Sequence, residues 1–97
     1  METPSKQKKA YYRKLYLAWL IDNGRHDLLS LERDTGMPRR TLQDCIKAMA
    51  DIGIVCEFIQ DGPKHRHGYY QVLEWGDHRR EWLASRRAEI EAMLEIG

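Results

Sequence analysis

The segment that decides the fold runs from residue 31 to residue 55 and reads LERDTGMPRRTLQDCIKAMADIGIV. Its centre, Gly36-Met37-Pro38, separates two helical patterns, because glycine ends helices and proline is tolerated at a helix start. Asp27 can cap a short helix over residues 28–35. A further helix is predicted over residues 39–52, where apolar residues recur at spacings of three and four. The expected buried face consists of Leu42, Cys45, Ile46 and Met49.

A longer helix is predicted upstream, from Thr3-Pro4-Ser5 to Asn23-Gly24. Threonine is a good N-cap, proline fits the first helical position, and Gly24 can adopt the left-handed conformation that ends helices. The second half of this helix, Leu15 to Ile21, is apolar or aromatic around nearly its whole circumference. Such a helix is covered on more than one side. In so short a chain, one cover can be a second subunit.

Two strands and a last helix are predicted downstream. Residues 54–59 and 69–75 are rich in β-branched and aromatic residues, and the polar loop between them turns at Gly62-Pro63, which predicts a hairpin. Gly76-Asp77 is expected to end the second strand and to cap a helix from Asp77 to about Ile96. A lone hairpin is marginally stable, so we expect it to pack against a core of three helices.

This pattern resembles a bacterial winged helix-turn-helix, and it is especially similar to the N-terminal DNA-binding domains of IclR-type regulators. The similarity covers residues 12–76. The residues that define it are Leu31, Thr35-Gly36, Met37-Pro38, Thr41-Leu42, Ile46, Tyr70-Gln71-Val72 and Gly76. Leu73 departs from it, since many winged-helix proteins have a capping threonine there. The effector-binding domain of IclR-type regulators has no counterpart in this sequence, so ligand control by their mechanism is not expected.

The resemblance implies an α+β fold, a winged helix-turn-helix with a three-helix core, a two-stranded β-hairpin wing and a C-terminal helix. We expect one domain over residues 1–97. Its winged-helix core, with a short basic N-terminal arm, would occupy residues 1–76, and a C-terminal helix that serves dimerisation would occupy residues 77–97.

The helix over residues 39–52 would present hydrogen-bond donors and charges on its outer side. Arginine pairs with guanine and glutamine with adenine in the major groove, whereas threonine and lysine suit phosphate contacts. The candidate DNA-binding residues of this helix are Arg39, Arg40, Thr41, Gln43, Asp44 and Lys47. The alternative is an ordinary solvated helix face, with pairs at i and i+4 such as Gln43 with Lys47.

The loop of the hairpin is a second candidate for DNA contact. A basic loop tip can lie on the backbone or enter the minor groove, and its histidines add charge only near or below a pH of about 6.5. This candidate wing consists of Lys64, His65, Arg66 and His67. The alternative is a solvent-exposed turn, and Asp61 beside it would weaken phosphate attraction. A third basic cluster, either a disordered arm or the surface of the first helix, consists of Lys6, Lys8, Lys9 and Arg13.

Charge and hydropathy exclude several classes of protein. The net charge is +1, but residues 1–47 hold ten Lys or Arg against six Asp or Glu, and residues 48–97 hold six against nine. This asymmetry predicts a basic face on a nearly neutral molecule. The longest apolar run, Leu15 to Ile21, is too short for a membrane span, which needs roughly 20 residues. No apolar signal segment follows the first residues, so we expect a cytoplasmic protein.

Metal, redox and catalytic chemistry have little support in the sequence. His65-x-His67 with His78, Cys45 or Cys56 could supply zinc ligands, but no paired Cys-x-x-Cys occurs. Both cysteines lie among apolar neighbours, which favours buried, reduced thiols over a redox switch. No phosphate-binding glycine loop, nucleophile elbow or His-Glu-x-x-His motif is present. We therefore expect no metal, no cofactor and no enzymatic activity.

The last predicted helix has an apolar stripe about 120° wide, measured at 100° per residue. The stripe contains Arg86 and spans about four turns, more than a small core would cover. Together with the first helix it predicts a homodimer through Trp19, Trp82, Leu83, Ile90, Met93 and Leu94. A two-fold dimer would place two copies of the helix over residues 39–52 at half-sites about one helical turn of DNA apart, or a multiple of it.

The predicted function is sequence-specific binding of double-stranded DNA by a small, bacterial-type transcriptional regulator. The recognition helix would enter the major groove, and the basic wing would contact the backbone or the minor groove. The alternative is a winged-helix module that binds protein and not DNA, because fold does not fix function. The net charge near zero and the large apolar share of the first and last helices favour that alternative.

Overall fold

The computed structural model of the chain describes residues 5–64 and 67–96. Those residues form five α-helices and a two-stranded antiparallel sheet, and the helix-helix-helix-strand-strand-helix order matches the prediction up to the last helix. The helices are α1 (Lys6–Asp22), α2 (Leu28–Thr35), α3 (Arg39–Ala48), α4 (Arg80–Ser85) and α5 (Arg87–Leu94), and the strands are β1 (Val55–Gln60) and β2 (Gly68–Glu74).

Helix α1 begins after Ser5, whose hydroxyl accepts a 3.1 Å hydrogen bond from the backbone N–H of Lys8. The predicted start at Thr3-Pro4 lies outside the described residues. At the other end, Asn23 and not Gly24 terminates the helix: the Asn23 backbone N–H and side-chain amide both donate to the carbonyl of Trp19. The prediction of a left-handed Gly24 is wrong, since its φ is not positive. The Asn23 side-chain amide donates a hydrogen bond to a carbonyl at the end of the helix, which a left-handed glycine turn would otherwise supply.

Helix α2 has the predicted bounds because its cap is encoded locally. The Asp27 carboxylate accepts from the N–H of Ser30 at 2.8 Å, and the Ser30 hydroxyl accepts from the N–H of Asp27 at 3.0 Å. Gly36 ends the helix with a φ of 74°. Pro38 is the N-cap of α3 and does not lie in its first turn as predicted.

Helix α3 is shorter than predicted, because it narrows into a 3-10 turn (Met49–Ile52) before Gly53 closes it with a φ of 82°. Three of the four predicted core positions, Leu42, Cys45 and Met49, are buried. Ile46 is half-buried and packs against the same core. The predicted inward face of α3 is therefore confirmed.

The hairpin is fixed to the helices along one edge. Strands β1 and β2 pair with Cys56 opposite Val72 and Phe58 opposite Tyr70, and a bulge separates Val55 from Cys56. The carbonyl of His26, between α1 and α2, accepts a 2.8 Å hydrogen bond from the N–H of Tyr70. This single bridge adds a third position to the sheet, so the wing is held in a defined place relative to α2.

Helix α1 forms the centre of the core and contacts α3, α4, α5 and β2. Most of its second half is buried within the single chain, which explains its apolar circumference without a second subunit. The fully or nearly fully buried residues of the core are Leu15, Tyr16, Leu17, Ala18, Ile21, Leu31, Leu42, Cys45, Met49, Ile54, Val72, Leu83 and Ile90. Within residues 5–64 and 67–96, no helix has the length and hydropathy needed to cross a bilayer.

The C-terminal region corrects the prediction of one helix from Asp77 to Ile96. Asp77 does not cap a helix, because residues 76–77 form a turn in which the N–H of His78 donates to the carbonyl of Trp75 at 3.1 Å. The helical region then breaks at Arg86, with φ −112° and ψ 14°. On either side of this bend, α4 and α5 both contact α1.

Candidate nucleic-acid interface

Three exposed side chains on the outer side of α3 form a crest, which we define as Arg40, Gln43 and Lys47. At about 100° per residue these three lie within roughly 60° of one another, on the side of the helix away from Leu42 and Cys45. All three are exposed, and the Arg40 side chain is 92% accessible. The crest therefore presents two cations and one amide to solvent, which are donors that can reach base edges in a major groove.

Arg39 lies on the flank of α3 that faces α2. Its Nε donates a 2.8 Å hydrogen bond to Oε1 of Glu32. That hydrogen bond, with the charge of the Glu32 carboxylate, raises the pKa of Arg39. A groove of about 430 Å³ follows on this flank, and it is lined by Asp27, Leu28, Leu29, Arg39, Phe58 and Tyr70. Arg39 is thus hydrogen-bonded to a neighbouring helix, whereas Arg40 forms a longer, 4.0 Å ion pair with Asp44 on its own helix.

Thr41 and Asp44 lie on the opposite flank of α3, which faces α1. They border a groove of about 300 Å³ whose basic members are Arg13 and Lys14. Oδ2 of Asp44 is 4.0 Å from Nε of Arg40, across one turn of the helix. The predicted contact residues of α3 therefore divide into an exposed crest and two flanks that border grooves with α2 and α1.

The first half of α1 adds basic residues that motif analysis of α3 did not assign to the site. Of the two interpretations of the third basic cluster, the helical one is correct, because Lys6, Lys8, Lys9 and Arg13 all lie on α1. Lys14 joins them. The signal for this surface is in the sequence, where Asp22 is the first acidic residue after Ser5. We define the basic ridge as Lys6, Lys9, Arg13 and Lys14.

Two of the four predicted wing residues can be placed. Lys64 and His67 are exposed, and His65 and Arg66 lie outside the described residues. Two backbone hydrogen bonds shape the loop: the N–H of Asp61 donates to the carbonyl of His67 at 2.8 Å, and the N–H of His67 donates to the carbonyl of Lys64 at 3.0 Å. The loop thus presents Lys64 at its exposed end.

Arg25 stands at the base of the wing and was missed by sequence reasoning. Its guanidinium forms an ion pair with Asp61 and lies 4.1 Å from the centroid of the Tyr69 ring. The pair offsets the negative charge that we expected to weaken phosphate attraction at the wing. Residue 25 lies far from Asp61 in the chain, and the bridge between His26 and Tyr70 places the two segments side by side.

The two cysteines and His78 have the surroundings of structural residues, not of reactive groups. Burial raises the pKa of Cys45 to about 11, and burial followed by the charge of Glu57 raises that of Cys56 to about 11. Both are free thiols. His78 accepts or donates at Nε2 with the Tyr11 hydroxyl (2.9 Å) and contacts the carbonyl of Trp75 through Nδ1 (3.2 Å). Among residues 5–64 and 67–96, no three His, Cys, Asp or Glu side chains are grouped to hold a metal ion.

The residues predicted to mediate dimerisation are mostly covered within one protomer. Leu83 and Ile90 are each 2% exposed and belong to the core. Leu94 and Trp19 are half-buried against it, and Met93 is also half-buried. Of the six, only Trp82 is an exposed large apolar residue, at 39%. The apolar stripe of the last helical region is therefore covered mainly by α1, because α5 lies against α1 after the bend at Arg86.

The fold of the chain agrees with its match to a known family. Residues 6–94 match the sequence profile of the family described as "Winged helix-turn helix", so the chain belongs to the winged helix-turn-helix family. This match extends beyond residues 12–76, to which the motif pointed. The IclR-type resemblance stays a prediction.

Among solved structures, the chain is similar to a DUF2131 family protein from Shewanella amazonensis SB2B, whose crystal structure has a resolution of 2.50 Å. The two sequences are 52% identical, and the match covers 97% of this chain and 91% of the other, with a TM-score of 0.91. No curated protein matches the sequence.

Proposed function

We propose that this protein is a small cytoplasmic transcriptional regulator that binds double-stranded DNA in a sequence-specific way, without catalysis. The observation that supports the proposal most directly is the crest of α3. Its polar side chains are exposed, while the apolar side of α3 is buried in the core. A helix presented in this way matches the major groove, which is about 12 Å wide.

The crest residues have distinct roles in the proposal. Arg40 can pair with guanine through two hydrogen bonds, and Gln43 can pair with adenine. Lys47, with Thr41 on the flank, suits phosphate contacts that fix the position of α3 without reading sequence. Lys64 and the remaining wing residues His65, Arg66 and His67 would contact the backbone or the minor groove. Arg39 is secondary because it is hydrogen-bonded to Glu32, and Asp44 is secondary because its negative charge repels phosphate.

Selection of bound sequences from a random duplex pool tests the proposal. We expect a consensus site, and we expect Arg40→Ala to weaken binding to that site by about 1–3 kcal/mol while binding to random duplex changes less. Arg80→Ala is the matched control, because Arg80 is also exposed but lies on α4, where it pairs with Asp22. A pool that yields no consensus, or equal effects of the two variants, contradicts sequence-specific readout by α3.

We propose a homodimer on narrower ground than the full apolar stripe. Trp82 stacks on Tyr12 with ring centroids 6.3 Å apart and stays exposed, as does Tyr11. These aromatic residues provide the apolar contact that a second copy would cover. Light scattering at micromolar concentration should give twice the mass of one chain, and Trp82→Ala should shift it toward one. A wild-type mass of one chain at every concentration contradicts the dimer.

Binding to a protein partner is the second candidate, and the groove beside Arg39 favours it. Leu29 is 66% exposed and Phe58 is 38% exposed at this groove. Salt-dependent retention on random duplex DNA discriminates between the two functions, since phosphate binding weakens steeply with salt. Retention at low salt that is lost at higher salt supports DNA binding. Absence of retention at low salt supports the protein-binding module.

A further inference from the structure

We infer that the DNA-binding surface extends from α3 onto the first half of α1, where the basic ridge binds the phosphate backbone beside the major groove. This inference rests on the proposed function and deepens it. It assigns a role to four cations that lie outside the recognition helix, and it states which side of α3 the neighbouring phosphates approach.

Helical geometry aligns the ridge with α3. Lys6, Lys9 and Arg13 fall within about 60° of one another around α1 at 100° per residue. Arg13 and Lys14 line the groove that α1 forms with Thr41 and Asp44 of α3. Arg13 also borders a second groove beside the turn before α3. Arg13 and Lys14 therefore join the ridge to the flank of α3, although Lys14 is turned by about 80° or more around α1 from the other three residues.

The charges of the ridge are not neutralised by the described part of the protein. Six of the other arginines pair with carboxylates, namely Arg25, Arg33, Arg39, Arg40, Arg80 and Arg87. No residue of the ridge has a carboxylate within ion-pair distance among residues 5–64 and 67–96. Unpaired cations in a row attract a polyanion, because each phosphate contact releases counterions.

The α2 flank of α3 has the opposite character. Asp27, Glu32 and Asp34 lie on or next to α2, and Arg33 and Arg39 are paired with two of them. The Debye length at physiological salt is about 8 Å, so the two flanks present separate local fields. Phosphates next to α3 would therefore be attracted to the α1 flank and not to the α2 flank.

Neighbouring lysines on α1 provide a matched test. Lys8 is exposed, but it is turned by about 140° or more from Lys6 and Arg13, and by about 100° from Lys9, around the helix. We expect Lys9→Gln and Arg13→Gln each to reduce the slope of log K against log salt by about 0.9, which is a loss of about eightfold in affinity at 0.1 M salt relative to 1 M. Lys8→Gln should leave the slope unchanged. Circular dichroism melting of each variant establishes that the fold is retained.

The outcomes separate the ridge from the proposed function. If wild type binds duplex DNA and Lys9→Gln has the slope of Lys8→Gln, the ridge is refuted while DNA binding by α3 stands. If wild type shows no salt-dependent binding, both are refuted. The expected result also includes an unchanged ratio of specific to random affinity in the ridge variants, since phosphate contacts carry no sequence information. A changed ratio would overturn the assignment to phosphate.

Discussion

Nε of Arg39, the first residue of α3, donates a 2.8 Å hydrogen bond to Oε1 of Glu32 in α2. The pair joins the two helices of the helix-turn-helix, and it also withholds one of the arginines that the sequence assigns to DNA. In the free protein, Glu32 occupies the position next to Arg39 that a phosphate or a base edge would need. This relationship has a direct consequence for affinity.

Glu32→Gln should increase affinity for duplex DNA. The substitution removes a negative charge beside α3 and frees Arg39 for a phosphate, which should steepen the salt slope by about 1. Fluorescence anisotropy with a labelled duplex at several salt concentrations measures the change. Glu89→Gln is the control. Glu89 is exposed on α5, so this substitution removes the same charge at a position away from α3. Equal gains for the two variants would mean that only net charge matters.

Arg25→Ala should weaken DNA binding through the wing. Without Arg25, the Asp61 carboxylate is no longer paired and repels phosphate near Lys64. The double variant Arg25→Ala with Asp61→Asn should recover most of the affinity, because it also removes the repelling charge. Binding by anisotropy and unfolding in urea measure both effects. If the double variant binds no better than Arg25→Ala, Arg25 acts by some route other than neutralising Asp61.

The protein should lose stability in alkali. Burial, and then the hydrogen bond from its hydroxyl to Glu91 (2.8 Å), raises the pKa of Tyr16 from 10.0 to about 12. The folded-state pKa is the higher one, so the contribution of Tyr16 to the free energy of unfolding is fully present below pH 10. It is lost as the pH rises from 10 to 12, which lowers the free energy of unfolding by on the order of 2 kcal/mol. The two cysteines should contribute a similar decline from pH 9 to about 11.

Tyr16→Phe isolates the tyrosine contribution. It should cost about 1 kcal/mol at pH 7, where the hydrogen bond to Glu91 is lost, and it should flatten the decline above pH 10. Urea unfolding at pH 7, 9, 10 and 11 gives both quantities. A Phe variant that declines above pH 10 as steeply as wild type would show that Tyr16 ionisation is not responsible.

Gly68→Ala should distort the base of the wing. A Cβ at this position would lie 2.1 Å from the carbonyl oxygen of Ile59, so the backbone of the two strands must separate. We expect a loss on the order of 2 kcal/mol in stability and loss of exchange protection at the N–H of Asp61. Gly24→Ala is the control, because its Cβ would meet only the side chain of His26, and it should change stability by less than about 1 kcal/mol. Similar losses in both variants would contradict the steric argument.

Local signals determined what could be predicted from sequence. The bounds of α2 were predicted correctly because Asp27 and Ser30 form the cap within four residues. The inward face of α3 followed from its spacing of apolar residues. The bend at Arg86 could not be found in this way, because Leu83 and Ile90 are seven residues apart and fit one face of an unbroken helix equally well. Only the position of α1 in three dimensions distinguishes the two arrangements.

The candidate site was predicted in part for the same reason. The crest of α3 follows from the helical pattern alone, so Arg40, Gln43 and Lys47 could be chosen from sequence. Pairings across the fold could not. The contact of Arg39 with Glu32 depends on the angle between two helices, and that of Arg25 with Asp61 depends on the bridge that joins residue 26 to the sheet.

A row of like charges without counterparts has a cost for the isolated molecule. The cations of α1 repel one another, and that repulsion opposes the folded state most at low ionic strength. Added salt should therefore make the free protein melt at a higher temperature while it releases the protein from a duplex. A bound polyanion would take over the shielding, so the duplex would act as a stabilising ligand for the first helix in dilute buffer.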